Sequence, residues 1–323
     1  KNMNAIHNQH NWQPTAKLLA LQARATMYTQ IRQFFAERQV LEVETPLMCA
    51  RSITDPYIQP FMVQDKYLQT SPEYAMKRLI AAGVGSIYQI CKAFRQEESG
   101  SFHNPEFTML EWYRLGFDHL QLMNEVDALL QLLLNNNQPA IKRSYAEIFN
   151  EFLALNPHTA NIEQLQQCAH KHNINLSAQV IAGLNITDWL QLLMSHVIEP
   201  QLVGPLPWII YDFPAPQAAL AKIIAGKYPV AARFEVYMQG IELANGYYEL
   251  LDSAEHRKRF MQDNEKRSQA GINTHAIDER LLAALDAGLP DCAGIALGLD
   301  RVLMLKLQAK SISEVLAFTI NNA

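Results

Sequence analysis

The chain has 323 residues, of which 49% are hydrophobic, and its formal net charge at pH 7 is −5. This length allows one large domain or two ordinary ones, and the acidic balance, with no run of Lys and Arg, disfavours a dedicated nucleic-acid surface. Four Cys residues without paired spacing favour reduced thiols in a cytoplasmic protein, and no uncharged apolar run is long enough to predict a membrane span.

The N-terminal part predicts a flexible end followed by a helix and a strand. The first dozen residues are polar, and residues 1–16 are expected to form a flexible end before a single folded domain over 17–323. Apolar residues recur at helical spacing from Lys17 to Arg38, and an alternating segment then leads to Pro46, which ends a short strand. Taken alone, this segment predicts an ordinary core helix and an edge strand.

A second helix is predicted to begin at Ser71-Pro72, with Ser71 as its N-cap and Pro72 as its first residue. Glu73 then lies in the first turn, where a carboxylate complements the helix dipole. A carboxylate at the end of a strand could instead hold the ammonium group of a substrate. The residues alone favour the first of these two interpretations.

Two antiparallel strands joined by a loop are predicted between Ile87 and Tyr113. Residues that favour strands alternate at both ends of this segment, while Ser99-Gly100-Ser101 and Asn104-Pro105 mark turns in its middle. The twenty residues 94–113 also contain an Arg, several carboxylates, a His and an Asn. Because side chains on strands alternate between faces, these polar groups could form a rigid floor for a charged ligand.

Residues from about 115 to 205 are predicted to be mainly helical and to form an insertion between two halves of a sheet. Within this region His170 and His172 lie close together in sequence. No Cys or carboxylate stands at ligand spacing from them, so a solvated surface pair is favoured over a metal site.

Three carboxylates, Glu235, Glu242 and Glu249, follow one another at a spacing of seven residues. A helical heptad would explain this spacing, but β-branched and aromatic residues favour strands, which Gly240 and the Asn245-Gly246 pair would punctuate. On a hairpin the carboxylates could converge on one cavity, where they repel unless a cation joins them. We therefore expect Mg²⁺ and a substrate ammonium group there.

A strand rich in small residues runs directly into an apolar helix between Ala293 and Leu307. Small residues allow a nucleotide to approach the backbone closely, and Arg301 follows at a helix start, where phosphate is favoured. A buried strand in which Asp300 and Arg301 pair with each other is the alternative interpretation.

Three of these segments resemble the motifs of class II aminoacyl-tRNA synthetases. Phe94-Arg95-Gln96-Glu97 followed by residues 103–113 is similar to motif 2, in the form found in the lysyl group, while residues 17–46 resemble motif 1 and residues 293–301 resemble motif 3. The resemblance implies an α+β fold, with an antiparallel sheet flanked by helices and a helical insertion. It also implies a homodimer formed through motif 1.

The resemblance assigns an ATP site to motifs 2 and 3. Arg95 and Arg301 are the expected catalytic residues, Arg95 neutralising the α-phosphate and Arg301, beside His103, holding the γ-phosphate. Phe107 is expected to stack on adenine, and Glu235 and Glu242 are the implied ligands of Mg²⁺. Glu97 and Asn104 are expected to fix the adenine edge and neighbouring groups. The implied ATP-binding residues are Arg95, Gln96, Glu97, His103, Asn104, Phe107, Glu242, Leu243, Gly298 and Arg301.

An amino-acid site is implied by two further segments. Ser71-Pro72-Glu73 resembles the amino-acid loop of lysyl-tRNA synthetases, and the run Glu242–Glu249 resembles their Glu-x-x-Asn-Gly-x-x-Glu segment. The implied residues are Ser71 and Glu73 for the proximal amine, with Pro72 between them, Glu249 with Glu111 and Tyr113 for the distal ammonium, Asn245 for the carboxylate, and Ala296 at the amino-acid end of the pocket.

The segment similar to motif 1 begins almost at once, so no anticodon-binding domain and no anticodon-type tRNA binding are expected. The resemblance is therefore to truncated lysyl-tRNA synthetase paralogues, which attach (R)-β-lysine to a lysine of elongation factor P. The alternatives are a ligase that uses α-lysine or another acceptor, and a regulatory paralogue without catalysis. Retained Arg95, Glu97, Glu242 and Arg301 favour an active enzyme over the regulator.

Ala296 departs from the synthetase pattern, because lysyl-tRNA synthetases usually have Gly at this position. A methyl group at the amino-acid end of the pocket would discriminate between substrates by about 1–3 kcal/mol, or roughly 10–200-fold. That is enough to disfavour α-lysine while a β-amino isomer keeps its contacts. A neutral change from Gly to Ala is the alternative.

Overall fold

The computed structural model describes residues 12–96 and 100–323. Residues 1–11 of the predicted flexible end, and Glu97 of the predicted ATP site, lie outside these ranges. The helices within them are α1 (Leu18–Ala36), α2 (Glu73–Ala81), α3 (His119–Leu134), α4 (Tyr145–Leu153), α5 (Ile162–Lys171), α6 (Ala178–Gly183), α7 (Ile186–Leu193), α8 (Ser253–Gln269), α9 (Glu279–Gly288) and α10 (Leu299–Leu307). The strands are β1 (Leu41–Glu42), β2 (Met48–Cys49), β3 (Met62–Val63), β4 (Lys66–Leu68), β5 (Ile87–Phe94), β6 (Glu106–Leu115), β7 (Ile141–Ser144), β8 (Trp208–Pro214), β9 (Ile223–Ile224), β10 (Val230–Met238), β11 (Ile241–Tyr248) and β12 (Cys292–Gly298).

One large sheet organises the described part of the chain, with the strand order β1-β5-β6-β12-β11-β10-β8-β7 and β9 beside β10. Within the run β5-β6-β12-β11-β10-β8 every adjacent pair of strands is antiparallel, which confirms the predicted antiparallel sheet flanked by helices. The two ends of the sheet differ from that expectation, because β1 joins β5 and β7 joins β8 in parallel.

The back face of the sheet carries the main apolar core. Trp112, Phe234 and Ile295 point into it, and α1, α3 and α10 cover it. Because side chains alternate along a strand, the polar residues of the same strands face the other side. The carboxylates and amides of the predicted site therefore share one face, which positions the site.

The insertion is narrower than the predicted range of about 115–205. Helix α3 belongs to the main core, where Leu122, Val126 and Leu130 are fully buried, and β7 is an edge strand of the sheet. Helices α4 to α7 instead form a separate apolar cluster against β8 and β10. Sequence periodicity recognises α3 as amphipathic but does not reveal which core its apolar side joins.

Two local predictions were wrong in detail. Helix α2 begins at Glu73 with Pro72 in the N-cap position, and the Ser71 hydroxyl still accepts a hydrogen bond from the Glu73 N–H over 3.0 Å. Of the two predicted turn signals, Gly240 lies in the β10–β11 turn, at Gln239-Gly240 with φ of 52° and 73°, whereas Asn245-Gly246 forms no turn. Two successive residues with positive φ suit a two-residue hairpin turn. Gly246 lies inside β11, where a Cβ would stand 2.5 Å from the Phe234 ring.

The four Cys residues form no disulfide, as expected: Cys49, Cys91, Cys168 and Cys292 are all free thiols. In the ranges 12–96 and 100–323 there is also no helix whose length and apolar character would let it span a bilayer.

Candidate active site

A single row of paired residues crosses five strands on the polar face of the sheet. Gln89 pairs with Glu111, Glu111 with Ala296, Ala296 with Asn245, and Asn245 with Glu235. Directly paired residues place their side chains on the same face, about 4.5–5.5 Å apart at Cβ. The row thus brings together Glu111, Ala296 and the Asn245–Glu235 pair, which come from three separate segments of the sequence.

Gly294 permits the closest approach in the next row of the sheet. It pairs with Tyr113 on one side and with Tyr247 on the other. A Cβ at Gly294 would clash with the Tyr113 ring and would lie 2.6 Å from Glu249 Oε1. Tyr113 and Glu249 can therefore meet above β12 only because position 294 has no side chain.

Glu111 is the central carboxylate of the predicted amino-acid pocket. Its Oε2 accepts a hydrogen bond from the Ser71 hydroxyl and its Oε1 accepts one from the Tyr113 hydroxyl, each over 2.7 Å. Burial and, to a smaller extent, the charge of Glu73 raise the pKa of Glu111 to about 8, although the two hydrogen bonds act to lower it. The carboxyl group therefore favours its protonated form at neutral pH unless a cation arrives.

Lys77 is a residue of this cluster that the sequence analysis missed. Its Nζ lies 2.6 Å from Glu73 Oε1 and 2.6 Å from Glu249 Oε2, and its side chain is fully buried. Burial opposes the charge of Lys77, but Glu249 and Glu73 outweigh it and raise the pKa of the ammonium group. Burial raises the pKa of Glu249 to about 7, with Lys77 acting in the opposite direction. The i, i+4 spacing of Glu73 and Lys77 was the available signal.

Arg95 and Phe107 lie together at the predicted nucleotide end. The Arg95 guanidinium stands 5.2 Å from the centre of the Phe107 ring, and its Nε donates a hydrogen bond to the Thr70 carbonyl over 3.3 Å. The Gln96 side chain donates to the Pro60 carbonyl over 2.8 Å. Arg95 therefore covers the ring on which adenine is predicted to stack.

Two other motif 2 residues lie at the loop that follows. His103 is exposed, and its backbone N–H donates to the Gly100 carbonyl over 3.4 Å. Asn104 is buried, its amide donates to the Glu106 carbonyl over 2.6 Å, and its Oδ1 accepts from the Ile320 N–H over 3.2 Å. Asn104 thus joins this loop to the C-terminal segment, and its role at adenine stays a prediction.

Arg301 and Asp300 point to different partners, contrary to the alternative in which they pair. Arg301 Nη1 donates to the Glu242 carbonyl over 2.7 Å, and its Nε donates to the Phe102 carbonyl over 3.2 Å. Asp300 is buried and accepts from the Thr108 N–H over 2.7 Å. The Asp300 side chain thus positions the start of α10 against β6.

Gly298 and Leu243 border the same end of the site through their backbones. A Cβ at Gly298 would stand 3.7 Å from the Leu243 carbonyl oxygen and 3.9 Å from Arg301 Cδ. The Leu243 side chain is buried in the main core. A contact between Leu243 and ATP would therefore come from its backbone.

The predicted metal ligands differ in their surroundings. Glu235 accepts hydrogen bonds from Arg233 and Tyr237, and a longer one of 3.4 Å from Asn245. Removal from water and then the charge of Glu235 raise the pKa of Glu242 to about 7. A buried carboxylate with a raised pKa would be stabilised in its ionised form by a nearby cation, so Glu242 suits a metal ligand. Glu235 could bind a metal only by weakening its hydrogen bond to Arg233. Arg233 had no role predicted from the sequence.

No group of three or more His, Cys, Asp or Glu side chains that could hold a metal is found in the part of the chain that the structure describes. Mg²⁺ in nucleotide sites is usually bound by one or two carboxylates together with phosphates and water. A Mg²⁺ ion held by Glu242 together with the phosphates of ATP would match this coordination better than a Mg²⁺ ion held by protein side chains alone.

Comparisons with known proteins identify relatives of the chain over nearly its full length. A family model described as tRNA synthetases class II (D, K and N) matches residues 12–322. The chain is 49% identical to the elongation factor P–(R)-β-lysine ligase of Salmonella paratyphi A (strain ATCC 9150 / SARB42), over 97% of this chain and 98% of that protein. The protein of the same name from Klebsiella pneumoniae (strain 342) gives the same identity and the same coverage.

Proposed function

The chain belongs to the class II tRNA synthetase family, and from this premise we propose that it activates (R)-β-lysine with ATP and transfers the β-lysyl group to elongation factor P. The acceptor atom would be the side-chain amine of a lysine in that factor. The near full-length similarity to elongation factor P–(R)-β-lysine ligases supports the choice of amino acid and acceptor. The observation that carries the proposal is the position of Ala296 between Glu111 and Asn245 on the floor of the site.

The acidic end of the pocket suits an amino acid with two ammonium groups. Glu111 is held by Ser71 and Tyr113, and Glu249 lies beside Tyr113 across Gly294. These carboxylates would receive the ammonium groups of the substrate, and their ionised forms would be favoured once a cation is bound. In this arrangement Glu249 contacts the distal ammonium, and Asn245 orients the carboxylate.

Ala296 would discriminate among lysine isomers because it adds a methyl group to the row that Glu111 and Asn245 share. An amino group on the α-carbon lies one bond closer to the carboxylate than one on the β-carbon. A methyl-sized obstacle near that carbon costs the wrong isomer about 1–3 kcal/mol.

The activation step would depend on positioning and charge neutralisation. An oxygen of the substrate carboxylate, already ionised, forms a bond to the α-phosphorus of ATP, and the bond from that phosphorus to the bridging oxygen breaks to release pyrophosphate. Arg95 would neutralise the α-phosphate, and Arg301 with His103 would hold the γ-phosphate. Mg²⁺, when bound near Glu242 and Glu235, would neutralise phosphate charge. Adenine would replace the Arg95 guanidinium over the Phe107 ring.

In the transfer step, a neutral lysine amine of elongation factor P would attack the acyl carbon of the adenylate. A carbon–nitrogen bond forms, the bond to the phosphate oxygen breaks, and AMP leaves. The amine gives up a proton in this step, and no side chain is assigned as its acceptor.

A homodimer through the motif 1 region is part of the proposal. Leu41, Leu47 and Met48, in and after β1, are large apolar side chains that are 41–54% exposed. The three residues lie close together in sequence, and a contiguous exposed apolar patch would be typical of a surface that another protein covers. Sedimentation would show a species of twice the chain mass of 36.7 kDa if this surface forms the dimer.

The test is AMP formation from ATP with (R)-β-lysine or α-lysine, with and without purified elongation factor P. We expect (R)-β-lysine to be the better substrate and radiolabel from it to reach the factor. Equal use of α-lysine with no labelled factor would contradict the proposed substrate and acceptor but leave an amino-acid ligase. No AMP with either isomer would favour the regulatory paralogue.

A further inference from the structure

Lys77 places an ammonium group among the carboxylates on which the proposed amino-acid pocket depends. Its Nζ contacts Glu73 Oε1 and Glu249 Oε2 at 2.6 Å each, from a side chain that is fully buried. Lysine is almost never fully buried unless it is paired, because removing its charge from water is costly. The ammonium is therefore held by the same carboxylates that are predicted to hold the substrate.

The charge of this cluster matches a substrate with two ammonium groups. Glu73, Glu111 and Glu249 contribute three negative charges when ionised, and Lys77 contributes one positive charge. The formal charge of the cluster is then minus two, which the two ammonium groups of a diamino acid balance, while the substrate carboxylate would lie outside the cluster at Asn245. Without Lys77, the three carboxylates would face only the two ammonium groups of the substrate. A buried carboxylate without a counter-ion takes up a proton.

Lys77 also fixes which oxygen of Glu249 faces the pocket. Since Oε2 points to Lys77, Oε1 points over Gly294 and lies 2.6 Å from where a Cβ of that glycine would stand, beside Tyr113. Lys77 is in α2, and the Glu73 N–H at the start of α2 bonds to Ser71, which in turn holds Glu111. One rigid element thus supports the three carboxylates.

We propose that Lys77 is a positioning residue of the amino-acid pocket, which sets the pocket's charge for a diammonium substrate and holds Glu73 and Glu249 in their binding orientation. The inference rests on the proposed function and deepens it. Lys77 acts through the two carboxylates and does not itself contact the substrate.

The test compares three variants of the full chain. Lys77→Met keeps the length of the side chain without its charge, Lys77→Gln can still donate hydrogen bonds, and Lys77→Arg keeps the charge. Lys66→Met is the control, because Lys66 pairs with Asp65 at the surface. The readouts are pyrophosphate exchange into ATP that depends on (R)-β-lysine, with KM for the amino acid and for ATP measured separately between pH 6 and pH 9, and calorimetric binding of the amino acid.

We expect Lys77→Met and Lys77→Gln to raise KM for (R)-β-lysine by about 10-fold or more and to move the pH midpoint of this KM upward by about one unit. KM for ATP should stay within about twofold of wild type, since Arg95 and Arg301 are at the other end of the site. Lys77→Arg should restore most of the affinity, and Lys66→Met should behave as wild type.

Folded Lys77→Met protein with an unchanged KM and pH profile for (R)-β-lysine would overturn the inference. A parallel loss for both substrates, or failure of all three variants to fold, would also overturn it, because Lys77 would then be a residue of the fold. If the wild-type protein itself neither binds nor activates a lysine isomer, the proposed function fails, and this result is distinct from a failure of Lys77 alone.

Discussion

Arg24 and Asp300 form an ion pair of 2.6 Å that joins the motif 1 helix to the start of the motif 3 helix. The Asp300 side chain is 2% exposed, and it also accepts the Thr108 N–H from motif 2. One carboxylate therefore connects all three motifs. Asp300 precedes Arg301, so this connection positions the guanidinium that is predicted to hold the γ-phosphate.

Substitution of Arg24 by Leu should destabilise the protein by about 3–5 kcal/mol, because it leaves the buried Asp300 carboxylate without its counter-ion. The measurement is urea unfolding followed by circular dichroism. Arg32→Leu is a matched control in α1, since the Arg32–Glu42 pair is exposed and should contribute no more than about 1 kcal/mol. Equal losses in the free energy of unfolding for the two substitutions would show that the buried ion pair stabilises the protein no more than the exposed one.

Ala296→Gly should improve the use of α-lysine relative to (R)-β-lysine by roughly 10–200-fold, because it removes a methyl group between Glu111 and Asn245. The ratio of kcat/KM for the two isomers in pyrophosphate exchange measures this. Ala293→Gly is the control, since Ala293 also lies in β12 but is buried in the main core. Unchanged relative rates in Ala296→Gly would support a neutral substitution at this position.

Gly294→Ala should abolish amino-acid binding while ATP binding persists, because a Cβ there clashes with Tyr113 and crowds Glu249 Oε1. Calorimetric titration with each ligand separates the two effects. Gly183→Ala serves as a control in a helix where a Cβ would meet no heavy atom within 4 Å. Wild-type affinity for the amino acid in Gly294→Ala would mean that the Tyr113–Glu249 approach is unimportant for binding.

Amino-acid affinity should fall as the pH decreases from about 8 to 6. Burial raises the pKa of Glu111 to about 8 and that of Glu249 to about 7, so both carboxyls take up protons as the pH falls through this range, and a substrate ammonium must displace them. Binding should then release protons, which calorimetry in two buffers of different ionisation enthalpy detects. Glu111→Gln should reduce that release, whereas binding without proton release in the wild type would contradict the prediction.

Glu111 and Glu249 should make the folded protein less stable as the pH rises, whereas a normal salt-bridged carboxylate makes it more stable. Their folded pKa values lie above the ordinary carboxyl value of about 4.5, so the folded state binds more protons between about pH 4.5 and pH 8. Their contribution to stability is fully present below that window and is lost as the pH rises through about 7 to 8. Thermal unfolding of Glu111→Gln should show a weaker loss over this range than the wild type.

Local pattern predicted the antiparallel hairpin of β5 and β6, because strand-forming residues and turn residues lie next to each other in sequence. The same approach gave two turn signals in the β10–β11 segment, Gly240 and Asn245-Gly246, and only Gly240 lies in the turn. Asn-Gly is a strong local turn signal, but Phe234 packs over Gly246 from the neighbouring strand, and this packing decides the outcome. No residue near Gly246 in sequence carries that information.

The sequence by itself predicted the type of fold and most of the chemical groups of the candidate site, because its short motifs resemble those of a known family. Periodicity alone would have predicted only a mixture of helices and strands. Only the tertiary structure decided how the groups pair: Glu249 with Lys77, Glu235 with Arg233, and Asp300 with Arg24. Two of these pairs join residues far apart in the chain, and strand register and helix packing bring them together. The charge of each carboxylate follows from its burial and partners, which local sequence does not specify.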